Sequence, residues 1–486
     1  MNEVNSKVGR AAKWSLLTEV SAKLITPITN MVLARLLTPE AFGIVATATM
    51  IFSFADIFTD AGFQNYIVQH EFKTREDLEN SATVAFWSNF ILSLFLWGII
   101  SVFSSPLADV TGISGLGSVF IVSCISLPLT SISSLQTALY KRKFDFKTLF
   151  YVRIVTAVLP LVVTVPIAWI TRSFWALIVG TIAGNAVRAI ILTVKSEWKP
   201  RLFFDVLLLR DMFSFSCWSL AESISIWLTS YIGTFIVGVY LTTYYLGIYK
   251  TSMSTVNQIT NLITSATSPI MFSALSRLQN DRTEFETFFF KFQRTVALVL
   301  VPMGMGIFLY KDIVTGILLG KQWGEAQGFI GIWGLSSSIS IVLSYYSSEA
   351  FRAIGKPKLS VLGQWLHIIV LVPALIYTAQ LNFTSLYVTR SLIRFEGVLV
   401  DLILMKIFIG INPIKMIKNV LPSVISAIVM LCLGMFMRSL SPASVWQYAV
   451  IFMCVGIYFG VQYIVFPKSR EDIVLLVSTV MKKVRK

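Results

Sequence analysis

Charged side chains are scarce in this sequence. Asp, Glu, Lys and Arg make up 13% of its 486 residues, whereas 55% of the residues are hydrophobic. Soluble domains carry about 25% charged residues, so the composition excludes a soluble globular protein. The apolar runs reach about 20 residues each, which is long enough for a helix to cross a hydrocarbon core about 30 Å thick. The sequence therefore predicts an all-α integral membrane protein.

Cysteine and histidine are also few, at four and two residues. The cysteines fall in apolar runs without the spacing of metal ligands, which argues against a disulfide scaffold and against a metal centre. A nucleotide-binding Walker loop is missing, because Gly316-x3-Gly320-Lys321 is one residue short and is followed by Gln322. We therefore expect no metal, no cofactor and no catalytic residue. The N-terminal sequence also lacks the apolar core and cleavage site of a signal peptide.

The apolar runs predict fourteen transmembrane helices. Their bounds are 14–36, 41–62, 82–105, 116–138, 148–170, 174–194, 213–236, 246–268, 291–311, 328–352, 359–379, 384–407, 416–437 and 444–466. The segments between them are short, which leaves no room for a soluble catalytic domain. We therefore expect a protein that acts within the membrane and is not an enzyme.

Basic residues are distributed unevenly among the connecting segments. The net charge of +15 would by itself be compatible with nucleic-acid binding. However, twenty-eight of the forty Lys and Arg residues lie in one alternate set of segments or at the adjoining span ends, and the opposite set, counted in the same way, holds only Arg172, Lys311, Lys321 and Arg438. Short basic loops stay on the cytoplasmic side of a membrane. We therefore expect both termini in the cytoplasm and no nucleic-acid partner.

One phrase occurs twice in the chain. The first copy consists of Trp14-Ser15-Leu16, Leu37-Thr38, Gly43-Ile44 and Thr47. The second copy follows at a constant separation and consists of Trp218-Ser219-Leu220, Leu241-Thr242, Gly247-Ile248 and Thr251. Repeats in membrane transporters commonly rock about a shared site, so the pattern predicts a transporter with two related halves.

Four cations lie within predicted helices and away from their ends. Lys23, Arg390 and Arg394 are the deepest, and Arg188 is intermediate. A cation at mid-depth costs about 2.5–3.5 kcal/mol on insertion scales, so these residues should face a polar interior.

Polar residues of the first helix share one face, because their spacings are four, four, three and four: Ser15, Glu19, Lys23, Thr26 and Asn30. The second half repeats this stripe with Trp227 at the position of Lys23. Ser and Thr in such stripes also serve helix packing. Matching stripes in both halves nevertheless favour a polar cavity between them, with a charged side and an aromatic side.

Several ordered motifs carry a family resemblance. They are Gly9…Ala12-Lys13-Trp14-Ser15, Leu33-Ala34-Arg35, Asp56-x3-Asp60-x-Gly62-x4-Ile67-Val68-Gln69, Gly184-Asn185-Ala186-Val187-Arg188, Leu278-Gln279-Asn280-Asp281 and Gly320-x2-Trp323. Over nearly its whole length the chain resembles Wzx-type polysaccharide flippases, especially the colanic-acid and teichuronic-acid export branch. The resemblance implies the multidrug/oligosaccharidyl-lipid/polysaccharide exporter superfamily, with two pseudo-symmetric six-helix lobes around a central cavity plus two C-terminal helices. The lobes would be 1–205 and 206–410, followed by helices 13–14 and a basic tail at 411–486.

The resemblance also implies a cargo. It would be an oligosaccharide repeat unit on a polyprenyl diphosphate such as undecaprenyl diphosphate, moved across the bacterial cytoplasmic membrane by alternating access for cell-surface polysaccharide biosynthesis. Membrane lipids, a glycan polymerase and the export machinery would be further partners. From their positions alone we assign to the cargo Lys23, Arg390, Arg394, Arg188, Trp227, Tyr387 and Asn30. Alternatively, Arg390 or Arg394 pairs structurally with Glu396 or Asp401.

Carboxylates within the predicted helices are candidates for coupling transport to an ion. They are Glu19, Asp56, Asp60 and Glu222. Glu19 has the alternative of an ion pair with Lys23, one turn away. A multidrug exporter of the same superfamily is a rival function, as is a membrane glycan polymerase or glycosyltransferase. Arginines at mid-depth favour an anionic cargo over cationic drugs, and the short outer loops argue against the enzymes.

Overall fold

The computed structural model describes residues 25–60 and 63–474, apart from the side chains of residues 60, 214–219, 221 and 222. Secondary structure in these ranges is helical, with no β-strand. The predicted all-α class is therefore confirmed. Lys23 and Glu19 lie outside the described residues. Asp60 and Glu222 lie in helices, but their side chains are outside the described part of the structure.

Eleven helical segments of the described chain are long and apolar enough to cross a membrane. They are Pro39–Thr59, Arg75–Val102, Gly117–Arg142, Phe146–Thr171, Trp175–Lys195, Ser223–Tyr240, Arg282–Leu309, Ala326–Ala353, Lys358–Ala379, Pro413–Leu440 and Ser444–Val465. Each overlaps one of the fourteen predicted spans. The protein is accordingly a multi-pass membrane protein.

Three of the fourteen predicted spans are not among these eleven segments. The first begins outside the described residues. The eighth is one long helix, Thr243–Leu278, and the twelfth is divided into Phe383–Leu392 and Arg394–Leu404. The twelfth carries three of the predicted site residues, Tyr387, Arg390 and Arg394, and polar side chains lower the hydropathy by which a span is recognised. Fourteen spans therefore stay a prediction.

The chain divides into two compact units. The first comprises the described residues up to Thr251 together with Leu318–Gln322. Its helices are α1 (residues 25–36), α2 (Pro39–Asp60), α3 (Phe63–Gln69), α4 (Arg75–Val102), α5 (Ser104–Val110), α6 (Gly117–Ser123), α7 (Ser126–Arg142), α8 (Phe146–Val162), α9 (Thr164–Thr171), α10 (Trp175–Lys195), α11 (Val206–Tyr240) and the start of α12 (Thr243–Leu278). α7 packs against α3, α4 and α10, and α2 packs against α11.

The second unit comprises Ser252–Ile317 and the described chain from Trp323 onward. After the remainder of α12 it contains α13 (Arg282–Leu309), α14 (Lys311–Leu318), α15 (Ala326–Ser340), a π-helical turn (Ile341–Tyr345), α16 (Tyr346–Ala353), α17 (Lys358–Ala379), α18 (Phe383–Leu392), α19 (Arg394–Leu404), a second π-helical turn (Met405–Ile409), α20 (Pro413–Leu440), α21 (Ser444–Val465) and α22 (residues 467–474). A short 3₁₀ turn, Lys321–Trp323, precedes α15.

The core of the second unit is apolar. α13 packs against α15 and α20, and α20 packs against α21. Phe289, Tyr346 and Phe351 are fully buried among these helices. The predicted lobe boundaries at residues 205 and 410 concern the sequence repeat and stay a prediction.

The two copies of the repeated phrase touch each other within the first unit. Gly43 lies in the first turns of α2, and Gly247 lies at the equivalent place in α12. A Cβ atom on Gly43 would collide with the backbone carbonyl of Thr243, and one on Gly247 would collide with the backbone carbonyl of Pro39. The contact is reciprocal, and it requires residues without a side chain at both positions.

Candidate functional site

Arg390 and Arg394 lie on either side of a break in the twelfth predicted span. α18 ends at Leu392 and α19 begins at Arg394, so Ile393 separates two helices where the sequence predicted one. Arg390 is 8% exposed, and Arg394 is half-buried. The two predicted cations are therefore close together in the structure, at an irregular point of the backbone.

The indole ring of Trp333 is shared by both arginines. The guanidinium carbon of Arg394 is 4.3 Å from the ring centroid, and that of Arg390 is 5.1 Å away. Trp333 is fully buried, and its Nε1 donates a hydrogen bond to Oδ1 of Asn257 at 3.3 Å. A cation over a desolvated aromatic face is stabilised by about 2 kcal/mol. The ring therefore offsets part of the cost of holding two positive charges inside a membrane span.

The carboxylates expected as alternative partners have other contacts. Oε2 of Glu396 is 2.7 Å from Nδ1 of His367, and Asp401 accepts a hydrogen bond from the hydroxyl of Ser344. Arg394 donates a hydrogen bond to Oγ of Ser337 at 3.1 Å. Within the described part of the chain, Arg394 forms no ion pair. Its guanidinium charge is therefore balanced by a hydroxyl and an aromatic face rather than by a carboxylate.

Tyr387 extends this cluster along α18. Its ring stacks on Phe329 with centroids 5.4 Å apart, and Phe329 in turn contacts Trp333 with centroids 5.7 Å apart. Gly328 provides the space for the Tyr387 hydroxyl, because a Cβ atom there would overlap it. The structure thus brings three predicted residues, Tyr387, Arg390 and Arg394, to one face of α15. We call this group, with Trp333, the arginine cluster.

A second cluster lies in the first unit. Nε1 of Trp227 donates a hydrogen bond to Oγ of Ser53 at 3.0 Å, and its ring contacts Phe54 with centroids 4.7 Å apart. Tyr231 stacks on Trp227 with centroids 5.5 Å apart, and Nζ of Lys250 lies 4.2 Å from the centroid of Tyr231. These five residues are half-buried or exposed. We call them the aromatic cluster.

Asp56 and Arg188 each form hydrogen bonds with hydroxyl groups. Oδ1 of Asp56 accepts hydrogen bonds from Thr130 at 2.8 Å and from Thr59 at 3.3 Å. Arg188 donates to Oγ1 of Thr137 at 3.2 Å. Asn30 is half-buried on α1 and belongs to neither cluster as described. The predicted set of site residues is therefore divided among separate groups of contacts.

Sequence reasoning missed several members of these clusters, and Trp333 and Lys250 show why. Trp333 is one of twelve tryptophans in the chain, and no motif distinguishes it. In the predicted span 246–268, Lys250 is the fifth residue and lies near the end of the helix. However, α12 begins at Thr243, so Lys250 lies about 10 Å along the axis at 1.5 Å per residue. An earlier predicted start for that helix would have revealed its depth.

These observations define a multi-pass helical membrane protein with cationic and aromatic side chains inside its spans. The family model described as "Polysaccharide biosynthesis protein" matches residues 32–327. The chain belongs to this family. The resemblance to Wzx-type polysaccharide flippases is thereby confirmed.

Curated relatives carry names from the same field. The chain is 24% identical over 337 residues to the succinoglycan biosynthesis transport protein ExoT of Rhizobium meliloti (strain 1021), covering 69% of this chain and 67% of the relative. It is 21% identical over 328 residues to the lipopolysaccharide biosynthesis protein WzxC of Escherichia coli (strain K12), covering 66% and 65%.

A solved structure shows the same fold. The inward closed conformation of the lipid II flippase MurJ aligns with a TM-score of 0.73 and 12% sequence identity, over 92% of this chain and 98% of that one. The expected fold of the exporter superfamily is confirmed.

Proposed function

We propose that this protein is a flippase that moves an oligosaccharide linked to a polyprenyl diphosphate across the bacterial cytoplasmic membrane, for cell-surface polysaccharide biosynthesis. The observation that carries the proposal is the sharing of buried Trp333 by Arg390 and Arg394. Two guanidinium groups inside a membrane span suit a ligand with more than one negative charge. Guanidinium groups bind phosphate oxygens by charge-assisted hydrogen bonds in a fixed geometry. A diphosphate that must cross hydrocarbon is such a ligand.

The aromatic cluster suits the other part of the cargo. Trp227 and Tyr231 present stacked rings with a polar edge, which can contact the apolar faces of sugars while the indole N–H stays hydrogen-bonded. Lys23 and Asn30 stay in the proposal as head-group ligands by their sequence positions, as does Arg188. A lipid tail can remain in the bilayer, so it needs no polar path.

Transport would proceed by alternating access, with the site opening first to one side of the membrane and then to the other. We expect both termini in the cytoplasm, because the basic segments alternate along the chain. Asp56 is the proposed ion-coupling carboxylate whose contacts are described, and Glu19, Asp60 and Glu222 are further candidates. The carrier lipid is proposed to be undecaprenyl diphosphate, with a polymerase as a downstream partner. No bond is made or broken in this process, so the protein is proposed not to be an enzyme.

Reconstitution tests this function. Purified protein is placed in liposomes that contain a polyprenyl-diphosphate-linked oligosaccharide, and the exposure of the head group at the opposite leaflet is measured. Arg394→Gln should lower the initial rate by about 10–100-fold, because a hydrogen bond to a charged group is worth about 1.5–3 kcal/mol. Arg277→Gln is the matched control, since Arg277 is exposed at the end of α12. Wild-type protein that moves no lipid-linked oligosaccharide would overturn the proposal.

A multidrug exporter is the second candidate. It is favoured by a solved structure of a multidrug transporter of the MATE family, with a TM-score of 0.65 and 11% identity over 81% of this chain and 98% of that one. A cationic drug would be repelled by Arg390 and Arg394, so we expect the same liposomes not to accumulate a cationic dye. Dye transport that survives Arg394→Gln would favour the exporter.

A further inference from the structure

A basic crevice lies in the second unit, where α13 and α20 begin and α21 ends. Its volume is about 960 Å³. Five of its lining side chains are cations and only one, Glu286, is a carboxylate; the cations are Arg282, Arg294, Lys415, Lys418 and Lys468. None of these residues belongs to the clusters described above. The crevice therefore concentrates positive charge at one end of the helices.

Local partners neutralise only part of this charge. Nζ of Lys415 is 3.1 Å from Oε1 of Glu286, and Arg294 pairs with buried Asp472 of α22. Arg282 donates to the backbone carbonyl of Gly410 at 3.1 Å, a neutral acceptor.

Two lysines of the crevice have no counter-charge within the described ranges. Among the residues that the structure describes, Lys418 and Lys468 form no ion pair. With Arg282, this leaves three positive charges in one concave surface. Clustered like charges repel one another, so an anion in the crevice would be stabilising.

The helix termini at the crevice are already capped. α13 and α20 both begin beside the crevice, and a helix N-terminus carries a partial positive charge. Asp281 and Asn412 cap these termini by accepting hydrogen bonds from the backbone, Asp281 from Thr283 and Glu284 and Asn412 from Ile414. The caps satisfy these N–H groups. The basic side chains are therefore the groups that remain for a ligand.

The crevice also has an apolar part. Phe290, Pro422 and Phe466 line the same space. Along α20, the side chains of Ile414 and Ile417 are 61% and 46% exposed, as expected of a surface that faces hydrocarbon. α13, α20 and α21 are all long and apolar enough to span a membrane, so the crevice at their ends lies at the membrane surface. A ligand held there meets cations and apolar surface together.

We propose that this crevice binds the headgroup of an anionic phospholipid, with the glycerol and upper acyl chains against its apolar part. Basic pockets between transmembrane helices are known to hold such headgroups. A free inorganic anion would use the cations and leave Phe290 and Phe466 uncovered. The phospholipid is thus the occupant that matches both parts of the crevice.

Lipid retention by the full chain tests the proposal without any transport assay. Purified protein in neutral detergent is given phosphatidylglycerol or phosphatidylcholine, and bound lipid is counted by native mass spectrometry. We expect wild-type protein to retain phosphatidylglycerol preferentially. Lys418→Gln with Lys468→Gln should weaken retention by about 30-fold, since each surface cation contributes about 1 kcal/mol to binding an anionic lipid.

The control is Lys141→Gln with Lys147→Gln, which removes two exposed cations of the first unit. This variant should retain phosphatidylglycerol like the wild type. Equal retention of the two lipids by wild-type protein would overturn the proposal, as would unchanged retention by the crevice variant. Displacement of the lipid by millimolar inorganic phosphate would identify a soluble anion as the ligand and would also overturn it. A failed flippase assay would leave all these outcomes unaffected.

Discussion

The guanidinium group of Arg394 stacks on Trp333 and hydrogen-bonds to Ser337, so a cation of α19 is oriented entirely by α15. Arg390 approaches the same ring from α18. The ring thus fixes two cations that belong to different helices. Changes to the ring should therefore weaken cargo binding even when both arginines are kept.

Trp333→Phe should reduce the affinity for the lipid-linked cargo several-fold. Phenylalanine keeps an aromatic face, but it is a weaker partner for a cation and it loses the N–H group that reaches Asn257. Binding of the lipid-linked oligosaccharide to purified protein gives the dissociation constant. Trp365→Phe is the matched control, because Trp365 is 43% exposed on α17. Equal losses in the two variants would contradict a specific role for Trp333.

Trp227→Ala should weaken the interaction with the glycan of the cargo and leave the interaction with its diphosphate unchanged. Removing the indole eliminates the stacking surface beside Tyr231 and the hydrogen bond to Ser53. An aromatic stacking contact is worth about 1 kcal/mol, so transport of the glycosylated lipid should fall about fivefold. Binding of the polyprenyl diphosphate without sugar should be unchanged. If both ligands lose affinity equally, the aromatic cluster does not contact the glycan.

Gly43→Ala should destabilise the protein by about 1–3 kcal/mol, because the new methyl group has to displace the backbone of α12. Gly247→Ala should have a similar effect from the other side of the same contact. Thermal unfolding in detergent measures the loss. Gly98→Ala is the control, since nothing lies within 4 Å of a Cβ atom there. A midpoint for Gly43→Ala equal to that of the control would show that the helices can separate freely.

The carboxyl group of Asp312, which lies outside the spans, should make the stability of the protein depend on pH. Burial alone would raise the pKa of Asp312, but Arg438, whose guanidinium lies 2.7 Å away, holds this pKa below its ordinary value. A carboxyl whose pKa is depressed by folding stabilises the protein above its unfolded pKa and loses that contribution as the pH falls through the folded value. The thermal midpoint should therefore fall less between pH 7 and pH 2 in Asp312→Asn than in the wild type.

The control for this measurement is Asp109→Asn. Asp109 is exposed on α5 and takes part in no ion pair within the described chain. The control should lose as much stability on acidification as the wild type. A wild-type and an Asp312→Asn protein that respond identically would show that the contact with Arg438 contributes nothing.

The helical class and most spans were predictable, because an apolar run of sufficient length has few alternatives in a bilayer. The break at Ile393 was not predictable, since no Pro or Gly marks it and the cause is tertiary. The lengths of α11 and α12 also exceed the predicted spans, because both helices continue into polar sequence. Hydropathy alone does not detect such extensions.

The charged residues of the candidate site could be predicted from the sequence, but the residues that contact them could not. Arg390 and Arg394 could be recognised because they lie far from the ends of the predicted span, where a cation is costly. Their partner Trp333 comes from a helix more than fifty positions away, and only packing brings it there. The coupling residues Glu19, Asp56, Asp60 and Glu222 stay predictions.

The reciprocal contact of Gly43 and Gly247 constrains how the two halves of the gene can diverge. After a duplication, each copy is ordinarily free to accept substitutions by itself. Here a larger residue in either copy meets the backbone of the other, so a tolerated change at one position requires a compensating shift in the opposite helix. We therefore expect these two positions to vary together among relatives that keep the repeat. A relative in which one glycine is replaced should carry an altered turn before the other glycine.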